Sequence, residues 1–310
     1  MIQNDKYKIE ESQRQVKYSS SMTQLDITLK SRILGCPSKL TVLLPNAPLQ
    51  DTCAPKDFYL SGKKLKVLWL LHGATGGPED WIQNTNVASY ISGRNAMIVL
   101  PSALNSDYSN YSVFSNGFNF WDFFTEELMP FIYGWFPAST KRDDNFIAGY
   151  SMGGTGAMMF GFTYPELFGG IAVLSSAIRD IDCLRPYRDM TSAEFRIEGK
   201  DTNRFPGTYP PGFNFKEINM ISKYPTVGDF LDSPENTWDR YIEAQKSGKL
   251  PKVYVSVGGD DRCYGRVQKF QKLASELGAD NITFDIIDGY DHEFSFWDLA
   301  IYNTLNFFEI

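Results

Sequence analysis

Ser151 stands in Gly149-Tyr150-Ser151-Met152-Gly153, with a glycine two residues away on either side. This is the G-x-S-x-G pattern, in which a serine becomes a nucleophile on a sharp strand-to-helix turn. The flanks supply the context the pattern needs. The apolar Phe146-Ile147-Ala148 comes before it, and small residues leading to Met158-Met159-Phe160 come after. Strand and helix pass close together at such a turn, so side chains two residues before or after the serine would collide. The turn lifts the hydroxyl into the open and aims the following backbone N–H groups at the same space. A helix N-terminus there favours developing negative charge.

A serine hydroxyl is a weak nucleophile until a base takes its proton. The chain has two histidines, His72 and His292, so any imidazole base is one of them. His292 follows Gly289-Tyr290-Asp291, just after the apolar run 282–287. Asp260 and Asp261 follow Gly258-Gly259, directly after the run 252–257. In a parallel α/β sheet, ligands gather at the carboxyl ends of the strands. Ser151, the aspartate pair and His292 each fall at such an end, in the chain order Ser, Asp, His. His292 is the expected general base. Asp261 is the expected acid, because the loop needs a residue or two beyond the strand to turn a carboxylate inward. Asp260 is the fallback, and Asp291 reads as a turn residue. His72 ends the run 65–71 and opens His72-Gly73-Ala74-Thr75-Gly76-Gly77, a turn suited to presenting a backbone N–H. The amides of Ala74 and Met152 are therefore expected to hold an oxyanion, each such donor contributing about 10²–10³ in rate. His72, Gly73, Tyr150 and Trp297 are expected to surround the substrate.

The elements that must position these groups can be read in order. Residues 1–22 are polar and read as a tail. Residues 25–33 alternate and 40–44 form a second strand, together an antiparallel hairpin at a sheet edge. A loop over 46–61 follows. Buried strands are expected at 65–71, 96–100 and 170–175, with helices at about 78–92 and 121–136 and a loop at 102–120. Residues 183–231 lose any clear period and read as an insertion, a candidate lid. Beyond it come a helix near 235–247, a strand at 252–257, a helix near 267–277, a strand at 282–287 and a last helix at 294–308. Strands alternating with helices argue for a parallel, doubly wound sheet. Tyr108, Tyr111, Phe114 and the insertion's Tyr187, Phe195, Phe205, Tyr209, Phe213 and Phe215 either line an acyl pocket or pack the insertion onto the body.

Composition narrows the partners. The 310 residues carry a formal net charge of −7, with no block of like charge, which argues against nucleic acid or an anionic membrane surface. The N-terminus lacks the apolar core of a signal peptide, and no run has the length of a membrane span. Cys36, Cys53, Cys183 and Cys263 are widely spaced, without C-x-x-C, and read as unpaired thiols of a cytoplasmic protein. No metal and no cofactor is expected.

With these residues in hand, the chain resembles an α/β-hydrolase esterase family. That family includes S-formylglutathione hydrolase (esterase D), tributyrin esterases, feruloyl and acetyl-xylan esterases and the mycolyltransferases. The tributyrin esterase branch is nearest. The resemblance is carried by LDITLKSRILGCPSKLTVLLP, VLWLLHGATGGPEDW, FPASTKRDDNFIAGYSMGGTGAMM, YPELFGGIAVLSSAI, SGKLPKVYVSVGGDDRCY and HEFSFWDLAIYNTLNFF, from about residue 25 to the C-terminus. It implies the α/β-hydrolase fold, with Ser151 as nucleophile, His292 as base and Asp261 as acid. It further implies short acyl esters as substrates, acetyl or feruloyl groups on plant polysaccharide fragments above all. Two departures stand out. Arg262-Cys263 follows Asp261 where apolar residues are usual, and the segment 183–231 is long. The expected activity is therefore a serine carboxylesterase acting on a small-molecule or oligosaccharide ester, with a homo-oligomer compatible with the insertion's apolar content. An acyltransferase on the same site and a silent hydrolase-fold binding protein are the alternatives.

Overall fold

In a parallel strand covered on both faces, successive side chains enter two different cores, so the whole strand must be apolar. The computed structural model shows this directly. It describes residues 22–47, 54–111, 118–198 and 221–310. Eight strands form one sheet: β1 (Met22–Lys30), β2 (Pro37–Pro45), β3 (Lys66–Leu71), β4 (Ala96–Pro101), β5 (Asn145–Tyr150), β6 (Gly170–Leu174), β7 (Lys252–Gly258) and β8 (Ile282–Ile287). Their spatial order is β1-β2-β4-β3-β5-β6-β7-β8. The pairs β1/β2 and β2/β4 are antiparallel, and every other neighbouring pair is parallel. The fold is thus the α/β-hydrolase fold, with an antiparallel edge on a mostly parallel sheet.

Val67, Trp69 and Leu71 of β3 enter one core, while Leu68 and Leu70 enter the other. The first core is closed by the helix Met152–Thr163, which is buried along nearly its whole length, and by the helices Thr237–Lys246 and Tyr264–Glu276. The second is closed by Trp81, Val87 and Ile91 and by the last helix, Phe294–Phe307. Among the described residues no helix is long and apolar enough to cross a membrane.

Several elements differ from the sequence reading. β1 begins at Met22, so the last residue of the expected tail belongs to the sheet; residues 1–21 lie outside the described residues. The loop expected over 46–61 contains a one-turn helix, Pro55–Tyr59, opened by its proline. The helix expected over 78–92 is two short ones, Asp80–Asn84 and Val87–Ile91. At the break, Asp298 of the last helix accepts from the Asn86 amide at 2.6 Å and from the Tyr90 hydroxyl at 2.8 Å. The helix expected over 121–136 holds a π-helical stretch, Phe123–Leu128. The insertion has structure that its irregular pattern hid: a 3₁₀ segment, Asp182–Tyr187, and two short helices, Ser192–Glu198 and Val227–Asp232. Ile181, Leu184, Phe195, Ile221, Val227, Phe230 and Leu231 form its own small core. Phe195 is buried there as packing. Phe114, Phe205, Tyr209, Phe213 and Phe215 lie outside the described residues.

Candidate active site

β5 delivers Ser151 at its carboxyl end, and the helix Met152–Thr163 begins at the next residue. Ser151 has φ 53° and ψ −116°, a region that costs a non-glycine residue about 1–3 kcal/mol. The surrounding chain holds it there. Its N–H donates to Leu174 O at 2.9 Å, and its carbonyl accepts from Thr155 N at 3.1 Å. The glycines on either side have a steric reason. A Cβ on Gly149 would lie 2.9 Å from Gly153 Cα, and one on Gly153 would lie 2.7 Å from His72 O. Both are backbone atoms that cannot move aside.

Three strand ends then converge. Ser151 Oγ donates to His292 Nε2 at 2.9 Å. His292 Nδ1 donates to the Asp261 carboxylate at 3.0 and 3.1 Å. The proton therefore sits on Nδ1, which leaves the Nε2 lone pair facing the serine. Asp261 is buried, and it also accepts from the Cys263 amide at 2.7 Å and from the Ser175 hydroxyl. Burial alone would raise its pKa. The hydrogen bonds from His292, Ser175 and Cys263 hold it below the ordinary carboxylate value. Asp260 is exposed and its amide donates to Tyr290 O at 3.0 Å, while Asp291 accepts from the His292 amide at 2.7 Å. Of the two neighbouring aspartates only Asp261 reaches the imidazole, and Asp291 is a turn residue.

The amides of Ala74 and Met152 both stay uncommitted among the described residues. Met152 opens its helix, so its N–H has no intrahelical acceptor. The Ala74–Thr75 peptide is held from both sides. Thr75, at φ 64°, donates its N–H to Asn105 Oδ1 at 2.6 Å, and its hydroxyl donates to Ala74 O at 2.6 Å. Free N–H groups of this kind can stabilise a negative oxygen.

The side chains expected to surround the substrate are placed differently. His72 is 1% exposed; its Nδ1 donates to Gly73 O at 2.7 Å and its Nε2 accepts from the Ala103 amide at 2.9 Å. Burial lowers its pKa, so it is a neutral strut under the turn. Gly73 is buried beside the Tyr150 ring, with no room for a Cβ. Tyr150 donates to Asp80 Oδ2 at 2.7 Å and stacks on Trp297 at 4.0 Å. Burial pushes the Tyr150 hydroxyl pKa up, and the Asp80 carboxylate adds to it. Trp297 is edge-on to the His292 ring at 5.1 Å and donates to Ser175 Oγ at 2.9 Å. These side chains form the wall behind the reactive groups, because their polar atoms are already used and their rings are covered.

Sequence reasoning missed two supporting residues, Ser175 and Asn105, and left a third, Tyr108, between pocket lining and packing. Ser175, at φ 49°, ends β6 and links Trp297 to Asp261. Its position at a strand end between the serine and the aspartate was the available signal. Asn105 accepts from the Thr75 amide, and Tyr108, fully buried, donates to His72 O at 3.1 Å. Both lie in the loop after β4, where the run of Ser, Asn and Tyr was the only hint.

Residues 31–306 match the model of the Esterase family. An acetyl esterase of Caldicellulosiruptor saccharolyticus is 28% identical over 292 residues, covering 91% of this chain and 97% of that protein. Among solved structures, an S-formylglutathione hydrolase of Staphylococcus aureus superposes with TM-score 0.66 at 23% identity, over 93% of this chain and 98% of its own. A ferulic acid esterase superposes with TM-score 0.65 at 21% identity, over 93% and 97%. The match over most of its length, together with the sheet order and the serine turn, places this chain in the esterase family, enzymes that hydrolyse carboxylic ester bonds.

Proposed function

We propose that this protein is a serine carboxylesterase for short-chain or aromatic acyl esters, working through Ser151, His292 and Asp261 and an acyl-enzyme. The observation that carries this reading is the unbroken hydrogen-bonded chain from Ser151 Oγ through His292 to a buried Asp261. His292 Nε2 takes the hydroxyl proton as Oγ attacks the ester carbonyl. The amides of Ala74 and Met152 receive the oxyanion. His292 returns its proton to the leaving alkoxide. Water then repeats the sequence on the acyl-enzyme and releases the acid. Asp261 keeps the imidazole in the productive tautomer and stabilises its charged form.

The acyl group is proposed to be acetyl or feruloyl, on a polysaccharide fragment. This follows the acetyl esterase and ferulic acid esterase among the similar proteins. The insertion is proposed to shape the acyl pocket. Lys223, at its edge, binds Asp107 at 2.9 Å and Ser109 at 2.9 Å, in the same loop whose Asn105 holds the oxyanion turn. The test is release of p-nitrophenol from p-nitrophenyl acetate by wild type and Ser151→Ala side by side. The mutation is expected to lower kcat by on the order of 10⁶. Equal turnover by both proteins would remove Ser151 as the nucleophile. Acetyl, butyryl and feruloyl esters compared on the wild type then rank the acyl groups.

A further inference from the structure

Cys263 is two residues beyond the acid, and it is a free thiol. The Cys263 amide donates to Asp261 Oδ1 at 2.7 Å, and its thiol also hydrogen-bonds the Asp261 carboxylate. Asp261, Cys263 and His292 therefore bring a carboxylate oxygen, a sulfur and an imidazole nitrogen within 4.8 Å of one another. Asp261 is buried, and the other two are half-buried. Oxygen, sulfur and imidazole nitrogen are the donor types zinc takes. Tetrahedral ligands at about 2.0–2.3 Å from zinc lie roughly 3.3–3.8 Å apart, so the cluster needs to contract by about 1.5 Å at most.

We infer that Asp261, His292 Nδ1 and Cys263 Sγ form an inhibitory site for a thiophilic divalent cation, zinc above all, that switches the esterase off. The electron and proton balance is simple. The thiol releases its proton to solvent and binds as thiolate. The imidazole proton moves from Nδ1 to Nε2, so the Nδ1 lone pair binds the metal in place of the hydrogen bond to Asp261. Nε2 then points an N–H at Ser151 Oγ, 2.9 Å away, and can no longer accept the serine proton. The fourth position on the metal is left for water. The ion competes with the proton that Asp261 holds in place, and not with substrate. Cys263 is the ligand that the proposed reaction does not use, whereas the histidine and the aspartate are needed for it.

The inhibitory half of this inference rests on the esterase reading, whereas the binding half does not. The kinetic arm titrates ZnCl₂ into wild type and Cys263→Ala and follows p-nitrophenyl acetate hydrolysis, each rate normalised to the same variant without zinc. Zinc is expected to inhibit the wild type and EDTA to restore it. The inhibition constant should rise in Cys263→Ala by about 10–100-fold or more, the loss that even an outer-shell change produces at metal sites. The binding arm adds Co²⁺ to Ser151→Ala, which needs no turnover. A thiolate-to-cobalt charge-transfer band in the near ultraviolet is expected, and the same protein carrying Cys263→Ala as well should lack it. Cys263→Ser, closer in size, repeats both arms should the alanine variant not fold. Equal zinc sensitivity in wild type and the Cys263 variants overturns the proposal, and so does the absence of the cobalt band. A cobalt band in a protein whose wild type shows no turnover would keep the metal site and reject the esterase reading.

Discussion

Asp261→Asn separates the mechanism from the fold most cleanly. Asp261 accepts hydrogen bonds from His292 Nδ1, Ser175 Oγ, Cys263 N and the Cys263 thiol. Asparagine is nearly the same shape but offers one acceptor oxygen and one NH₂ group. If the oxygen keeps the Cys263 amide, the NH₂ faces His292 Nδ1. The opposite orientation sets NH₂ against the Cys263 N–H and leaves a buried donor unsatisfied, at about 1–3 kcal/mol. The first orientation therefore wins. Nδ1 must then accept a hydrogen bond, the ring proton moves to Nε2, and the serine faces a donor in place of its base. Loss of the correct tautomer is expected to lower kcat by about 10⁴, or about 5.4 kcal/mol at 1.36 kcal/mol per tenfold. KM should change little, since Asp261 is buried away from substrate. The assay is steady-state hydrolysis of p-nitrophenyl acetate, with Asp260→Asn as the control. Asp260 is exposed and outside the hydrogen-bonded chain, so its variant should match wild type. The reasoning is refuted if Asp261→Asn stays within about tenfold of wild type, one step of 1.36 kcal/mol, or if Asp260→Asn is the variant that fails.

Other outcomes follow from the same contacts. Ser175→Ala removes a hydrogen bond to a charged group, worth about 1.5–3 kcal/mol. It should lower kcat roughly 10–150-fold at unchanged KM; Ser175→Gly, which relaxes the φ of 49°, should lose as much if the hydroxyl is what matters. Gly153→Ala pushes a Cβ against the backbone of Leu71 and His72, so unfolding by urea should show a loss of about 1–3 kcal/mol together with lost activity. Lys223→Met leaves Asp107 and Glu235 without their buried cation and should lower stability by about 3–5 kcal/mol. Burial alone would lower the Lys223 pKa, but Glu235 and Asp107 raise it overall. Its contribution is therefore complete below the unfolded lysine value of about 10.4 and is lost as pH rises through the folded value. Asp261 has the opposite sign. Its folded pKa is lowered, so the stability it contributes is present above about pH 3.9 and is lost as pH falls through the folded value; melts from pH 6 to 2 on wild type and Asp261→Asn should converge at the acid end.

Much of this molecule was legible in its chain. The continuous apolar runs at β3, β4, β5, β6 and β7 announced strands buried on both faces, because each face needs its own core. The glycines around Ser151 announced the turn, because no other residue fits there. The order of Ser151, Asp261 and His292 at three strand ends announced their meeting, because parallel strands put their carboxyl ends on one edge of the sheet. Tertiary structure alone decided how the side chains around them turn. Asp261 is expected over Asp260 from its place in the loop; the tertiary structure adds that the Asp260 amide is tied to Tyr290 O, across the gap between two loops 30 residues apart in sequence. His72, Tyr150 and Trp297 became supports because Ala103, Asp80 and Ser175 use up their polar atoms. Ser175 and Asn105 joined the site through partners remote in the chain. Local sequence sets the backbone period and the places where only glycine fits, but a loop side chain is aimed by whichever distant donor or acceptor it meets once the sheet has closed.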